Sequence, residues 1–512
     1  MKKRFIYLCL ILAGVCLFMA CRQGTSSSSG GVIDPNRPLS LSIAIWEVEP
    51  FGNDRIADVI KEKLNLEAID IIPLDWGTYQ TQFQLWASSD SMPDAMGAYP
   101  MTTSWFGDFI NQEVIKDIPY EMGAKYPNIK YLFDNDGTLQ LCRDLYNGIW
   151  YLPRPQSRTG RRTGTNQGIY YRKDWANRLG FTEHPTDLEY FYEMIRAFTY
   201  NDPDGNGIRD TYGLTGSLDV IYTFHDCFPG SWVNGPGGRV IPGFMDEERM
   251  LQALTWLRRA YTECVLDPEL TTNNNLVQER FSQGIFGAIN RTVGAGWYRI
   301  IAVEQWAPLN PGRNYLDDVH IIAGMSPRAG GKRVHMPNFE ESGTIFPYNI
   351  SDEKLDRLLA LADYLLTDEG IYMCSMGFEG VDYITNADNS FTMIAEGRTG
   401  DRYPSASILT YATWNFDFGQ FIDPTQPSGV IEFTSRWQVE ANEFSRNANI
   451  HALATMLSTP DKRSFIFDHS RYLTEIITGS GDIQTMYRAM LRDAEANGIQ
   501  RVIDSVNRDI GL

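Results

Sequence analysis

Basic residues are scarce in this chain: 45 Lys and Arg stand against 64 Asp and Glu in 512 residues, a formal charge of −19. Such a surface repels phosphate backbones and excludes a nucleic-acid partner. Histidine is rarer still, with six residues (184, 225, 320, 335, 451 and 469) and no His-x-x-x-His pair for zinc. No Gly-x-Ser-x-Gly elbow occurs. The nearest approach to a phosphate loop, Gly330-Gly331-Lys332, runs into Arg333 and has Ser326 where the earlier glycine belongs. Internal repeats, heptads and late membrane spans are also missing. What remains is an ordinary globular composition, 43% hydrophobic, 21% charged and 12% aromatic. At about 150 residues per domain the length predicts two to four domains.

The N-terminus reads as an address. Lys2, Lys3 and Arg4 precede an apolar run from Phe5 to Met19, which has the charge and length of a secretory signal and is short for a membrane span. It ends Leu17-Phe18-Met19-Ala20-Cys21, which resembles a bacterial lipoprotein box. Cys21 is therefore expected to carry the lipid, as the only membrane attachment, with residues 1–21 as signal and box. Phe18 is bulkier than the usual aliphatic there, so cleavage without lipidation stays open. Residues 22–38, with the Thr25-to-Gly31 stretch, Pro35 and Pro38, form a flexible tether. Cys9 and Cys16 fall in the signal, and Cys142, Cys227, Cys264 and Cys374 are irregularly spaced without a C-x-x-C. Buried single thiols fit them at least as well as disulfides.

Leu41 to Trp46 alternates as a strand, Asp54 to Leu64 reads as a helix, and Ile69-Asp70-Ile71-Ile72 as a second strand. This β-α-β start argues for an α/β sheet with ligands near the carboxyl ends of its strands. Further helices are predicted at Phe83–Ser88, at Thr186–Tyr200 with a Thr186/Glu189 capping box, at Leu355–Leu366, and at Ile483–Asn497 with Gly498 closing it.

The most specific stretch is Asp202-Pro203-Asp204-Gly205-Asn206-Gly207-Ile208-Arg209-Asp210. Oxygen side chains at positions 1, 3, 5 and 9, Gly at 6 and the Ile208 carbonyl at 7 reproduce the first part of a calcium loop. Gly213 replaces the usual bidentate Glu, so Thr211, a water or a distant carboxylate completes the shell. The expected metal is a structural calcium; the alternative is a tight Asp/Asn/Gly turn without metal.

Several motifs resemble one family. Tyr170-Tyr171-Arg172-Lys173-Asp174-Trp175, Leu179-Gly180, Pro185-Thr186, the calcium-type loop and Tyr212-Gly213-Leu214 occur in order, as do Leu365-Leu366-Thr367-Asp368-Glu369-Gly370 and Gly377-Phe378-Glu379-Gly380-Val381-Asp382-Tyr383. The chain is similar, from about Leu39 to its end, to the family 1 extracellular solute-binding proteins, lipoprotein receptors of ABC importers for sugars and oligosaccharides. The resemblance implies a two-lobed α/β architecture, the type II periplasmic-binding-protein fold, closing by hinge bending on a ligand in the interlobe cleft. It implies ABC permease subunits as partners and a cell-envelope location outside the cytoplasm. By analogy lobe one is 39–150 with 341–400 and lobe two 151–340 with 401–512. Asn338–Pro347 is then a hinge, and Pro153–Gly168 a hinge or lip loop.

A sugar offers hydroxyls and apolar C–H faces, so a receptor needs aromatic planes and polar rims. Aromatics at strand ends or beside glycines are expected to touch ligand: Trp46, Trp76, Trp232, Trp297, Tyr298 and Trp414. Trp256, at helical spacing with Leu254 and Tyr261, is expected in the core. Asp75, Asp94, Arg172 and Glu379 are the polar candidates. Arg154, Arg158, Arg161, Arg162, Arg172 and Lys173 lie in a stretch, Tyr151–Lys173, without one acid. It reads as a solvated loop or as a site for an anionic glycan. No catalytic residue is assigned. A glycosidase on two of the 64 acids, or a glycan-binding adhesin or sensor, are the alternatives.

Overall fold

A computed structural model describes residues 37–46, 48–100, 105–155, 164–269, 276–338, 342–387, 390–397, 399–413 and 429–512. Cys21, the signal, the tether, Arg158, Arg161, Arg162 and Trp414 lie outside the described residues.

Leu39–Ile45 alternates buried and exposed residues at its start and is wholly buried at its end, as a strand does when it enters a covered sheet. It pairs in parallel with Leu66–Pro73 on one side and with Ala95–Ala98 on the other. Gly343–Ile345 joins the second of these antiparallel, and Leu152–Pro153 joins Gly343–Ile345 antiparallel, completing a five-stranded sheet. The helix between the first two strands is Arg55–Lys63, whose Ala57 N–H donates to Asp54 at 3.1 Å. One core covers this sheet, taking residues from Leu39 to Leu152, again from Ile345 to Ala412, and Met456 from the C-terminal helices. Ala406 to Ala412, assigned above to lobe two, pack here, and Tyr411 donates to the Leu358 carbonyl at 3.1 Å.

The second sheet has four strands in the order Val319–Ile322, Gln167–Arg172, Phe286–Thr292, Tyr212–Gly216. Gln167–Arg172 is antiparallel to both its neighbours, and the other three strands share one direction. Alternating residues divide between two apolar clusters, with Ile169, Tyr171 and Ala288 on one face and Tyr170 and Ile289 on the other. Trp256 lies in the first of these clusters, as its spacing predicts.

Helices form where the apolar spacing predicts them, with shifted ends. Leu188–Tyr200 starts one residue later than the capping box requires, because Asp187, not Thr186, accepts the Tyr190 N–H at 3.0 Å. The Thr186 carbonyl is instead held by Ser326 N–H at 3.0 Å. Tyr79–Ser89 is longer than expected, and Asp352–Leu365 begins at the Ser351 cap. Gly498, at φ 92°, ends one helix and starts another, Ile499–Asp509. Among the described residues all four cysteines are free, three of them buried and Cys264 exposed.

Strand direction decides where a ligand can sit. In the first sheet the carboxyl ends Ile45, Pro73, Ala98 and Pro153 lie on one edge, with Gly343 entering there. In the second, Gly216, Thr292 and Ile322 end on one edge, where Gln167 begins. The chain crosses from Pro153 to Gln167 and from Ile322 to Gly343, so both crossings join these two edges. They run side by side: Arg154 N–H donates to the Ser342 carbonyl and Thr165 N–H to the Met336 carbonyl, each at 2.9 Å. The carboxyl edges of the two sheets therefore belong to the side where the lobes meet.

Candidate functional site

On the first lobe's carboxyl edge, four aromatic rings gather. Trp46, directly after the first strand, is fully buried. Its ring stacks on Trp76 with centroids 4.7 Å apart and planes 8° from parallel. Tyr79 meets Trp46 edge-on at 5.0 Å, and Tyr99 tilts against Trp46 and Trp76 at 5.8 and 6.2 Å. Gly97 makes room, since a Cβ there would lie 3.0 Å from the Trp46 ring. Asp75 shapes the turn: its carboxylate accepts from Gly77 N–H and Thr78 hydroxyl, both at 3.0 Å, before the Tyr79–Ser89 helix. Trp76 itself stays 45% exposed, so the inner rings support a presented outer one. Glu379 is exposed in the loop after Asp368–Met376, where the neighbouring Phe378 packs under Arg55 at 3.8 Å. Arg55 opens the helix that leaves the first strand's carboxyl end, so this loop also lies toward the cleft side.

On the second lobe's edge, Trp297 follows the strand Phe286–Thr292, half-buried, with the Arg291 guanidinium 5.3 Å from its ring. Asn290, beside them, donates to the Ser217 carbonyl at 3.1 Å.

Other expected residues lie elsewhere. Asp94 precedes its strand and so sits on the edge opposite the cleft, where it accepts from Ser42 N–H at 2.8 Å and from Lys354 Nζ at 2.8 Å. Arg172 ends its strand, but that strand runs against its neighbours, which puts it too on the far edge; it is 95% covered and forks onto Asp174 at 2.8 and 2.6 Å. Tyr298 is 2% exposed, edge-on to Tyr315 at 5.1 Å, and Trp232 is 5% exposed in the second lobe's core. None of these four presents a surface to a cleft ligand. Arg154 is fully buried at the lobe crossing.

The calcium-type loop joins the helix Leu188–Tyr200 to the start of Tyr212–Gly216, on the edge away from the cleft. Asp202 accepts the N–H groups of Asn206 and Gly207, each at 3.0 Å, while the Asn206 amide reaches Asp204 at 2.8 Å and Asp210 at 3.3 Å. Asp202 and Gly205 have φ of 47° and 75°, left-handed backbone that tightens the turn. Desolvation, with Asp202 and Asp210 close by, raises the Asp204 carboxyl above its ordinary range. Thr211 does not face the loop: its buried hydroxyl donates to the Phe198 carbonyl at 2.7 Å. Among the described residues no group of three His, Cys, Asp or Glu is already placed as a metal cage.

The fold is that of the two-lobed solute-binding proteins. It superposes on an extracellular solute-binding protein from Bifidobacterium longum subsp. infantis with a TM-score of 0.67, at 13% identity, over 93% of this chain and 99% of that one. Against the Streptococcus pneumoniae substrate-binding protein FusA with kestose the TM-score is 0.66, at 14% identity, over 92% and 98%. A FusA EF-hand mutant with fructo-nystose gives 0.62, at 15% identity, over the same shares. In sequence the chain is 27% identical over 417 residues to the polygalacturonan/rhamnogalacturonan-binding protein YtcQ of Bacillus subtilis strain 168, 76% of each chain. To lipoprotein LipO of the same organism it is 26% identical over 258 residues, 47% of this chain and 48% of that one. No family model matches the chain. The relatives whose names state an activity are sugar- or polysaccharide-binding proteins.

Proposed function

We propose that this protein is a lipid-anchored receptor that captures an oligosaccharide between its lobes and delivers it to the permease of an ABC importer. The observation that carries this reading is the Trp76 ring, presented at the carboxyl edge of lobe one on a stacked, buried Trp46. An aromatic plane held at a cleft is what the C–H face of a sugar requires. Trp46, Trp76, Asp75, Tyr99 and Glu379 form the lobe-one wall and Trp297 the lobe-two wall, with Trp414 outside the described residues. Named relatives bind polygalacturonan, rhamnogalacturonan or fructooligosaccharide, so a glycan several units long fits the reading. The lobes are 39–155 with 342–413 and 164–338 with 429–512, hinged at the paired crossings. Cys21 carries the lipid. No described helix is long and apolar enough to cross a membrane.

Calcium belongs to the loop. The side chains of Asp202, Asp204, Asn206 and Asp210 with the Ile208 carbonyl are the hard oxygen donors it prefers, and the crowding at Asp204 is the charge a cation would relieve. Bound there, it would clamp the helix-to-strand connection far from the sugar. That a protein of this fold, FusA, has been studied as an EF-hand mutant supports calcium as the metal, without fixing its position here.

The test is calorimetric titration of the full chain in detergent with a panel of oligosaccharides, followed by chromatography of the recovered sugar. Binding with the glycan intact agrees with a receptor. Shortened product would make it a hydrolase, and absence of any binding would end the sugar reading.

A further inference from the structure

Among the described residues, lobe two contains a half-buried cation without a counter-charge. Arg291 is the penultimate residue of the central strand Phe286–Thr292, at the carboxyl edge, and it is half-buried. Its Nε is buried and has no hydrogen-bond partner among the described residues, and no carboxylate there forms an ion pair with it. Several other partly covered arginines of this lobe meet an acid, as Arg172 meets Asp174, Arg249 Asp246, Arg280 Glu269 and Arg313 Asp318, and Arg258 meets the carbonyls of Ile477 and Gly481 instead. Arg291 differs in that its buried Nε meets neither an acid nor a carbonyl among the described residues. Burial without a partner costs free energy, and an anion brought by the ligand would recover it. Desolvation lowers the Arg291 pKa from its ordinary value, yet guanidinium stays charged at any working pH. The Trp297 ring beside it holds the guanidinium in place through its electron-rich face.

We infer that the ligand is an acidic oligosaccharide, and that Arg291 pairs with the carboxylate of a hexuronate unit lying against lobe two. The inference rests on the sugar-receptor reading and narrows its substrate class. A planar guanidinium forks onto a carboxylate through two parallel N–H donors, which a neutral sugar cannot use to the same effect. The arginine-rich stretch Tyr151–Lys173 is not the source of this specificity in the described residues, since Arg172 is already paired with Asp174 on the far edge.

The experiment compares trigalacturonate with its carboxyl-reduced neutral trimer by calorimetry, on the native protein and on Arg291→Gln and Arg291→Lys, at low and high salt. The expected result is at least tenfold tighter binding of the acidic trimer by the native protein, weakening as salt rises. Arg291→Gln loses that preference, and Arg291→Lys loses part of it. If the native protein binds both trimers equally, or prefers neutral glycans, the inference is overturned while the receptor reading stands; this comparison needs no variant to fold. Retention of the acidic preference by a folded Arg291→Gln protein also overturns it. If no saccharide of either kind binds, the receptor reading fails with it.

Discussion

Arg463, in the short helix Pro460–Ser464, lies 3.3 Å from Asp108 in the helix Phe106–Asn111 of the other lobe. Both side chains are partly exposed, 27% and 38%, so the pair is a strap between the lobes more than a source of stability. An exposed pair of this kind contributes up to about 1 kcal/mol. Arg463→Ala is expected to leave the melting temperature nearly unchanged and to shift the ligand-free protein toward open forms, read as a larger radius of gyration in solution scattering.

Trp76 and Trp46 should separate by phenotype. Trp76→Ala removes an exposed ring, so the protein folds normally and loses ten- to a hundredfold in sugar affinity. Trp46→Ala empties a fully buried site and costs about 3–5 kcal/mol in a urea titration.

Asp94 tests which edge matters. Its carboxylate holds Ser42 and Lys354, so Asp94→Ala is expected to destabilise by about 2 kcal/mol. Because it sits on the edge away from the cleft, sugar affinity of the folded fraction should stay within twofold of native.

Calcium should raise the melting temperature by a few degrees, and EDTA should reverse it, because a ligand held only by the folded state stabilises it. Asp204→Asn is expected to abolish that response. Without calcium the variant should melt no lower than native at pH 7, since the native Asp204 carboxyl is pushed up and ionising it there is unfavourable. Native more stable than variant with calcium, and not without it, is the signature.

Acid should destabilise through His184. Burial first, then His320, Arg333 and Lys173, lowers its pKa to about 4, so the folded state holds it neutral. Its ring lies 3.3 Å from His320 and 3.3 Å from the Tyr171 hydroxyl. The unfolded chain takes up a proton below about pH 6.5, and the stability associated with the neutral ring is lost as pH falls from there toward 4. His184→Gln should flatten that part of a pH–stability curve.

The elements were legible where periodicity is local: a strand read at Leu41–Trp46 is found at Leu39–Ile45, a helix read at Asp54–Leu64 is found at Arg55–Lys63, and a helix does end at Gly498. Site residues were harder, because a strand's carboxyl end is visible in sequence but its direction within a sheet is not. Arg172 ends a strand as plainly as Thr292 does, yet pairing turns one away from the cleft and the other toward it. Arg291 carried a faint signal, a charge at the end of an apolar run just before Gly294-Ala295-Gly296-Trp297. What could not be read was that, among the described residues, no acid would fold against it. Trp46 and Trp76 were visible as strand-end aromatics, but their stacking depends on register between two strands.

The way the first core is assembled sets a schedule for the growing chain. Its apolar residues run from Leu39 to Leu152, resume only at Ile345 and continue to Ala412, with Met456 added last. Every strand of the second sheet therefore emerges before the first core can close, while the last helices of lobe two, through Asp509, come after it. Neither lobe can finish folding on a truncated N-terminal fragment. A chain stopped near residue 340 would display the unfilled half of a core, a natural target for proteases and chaperones during synthesis.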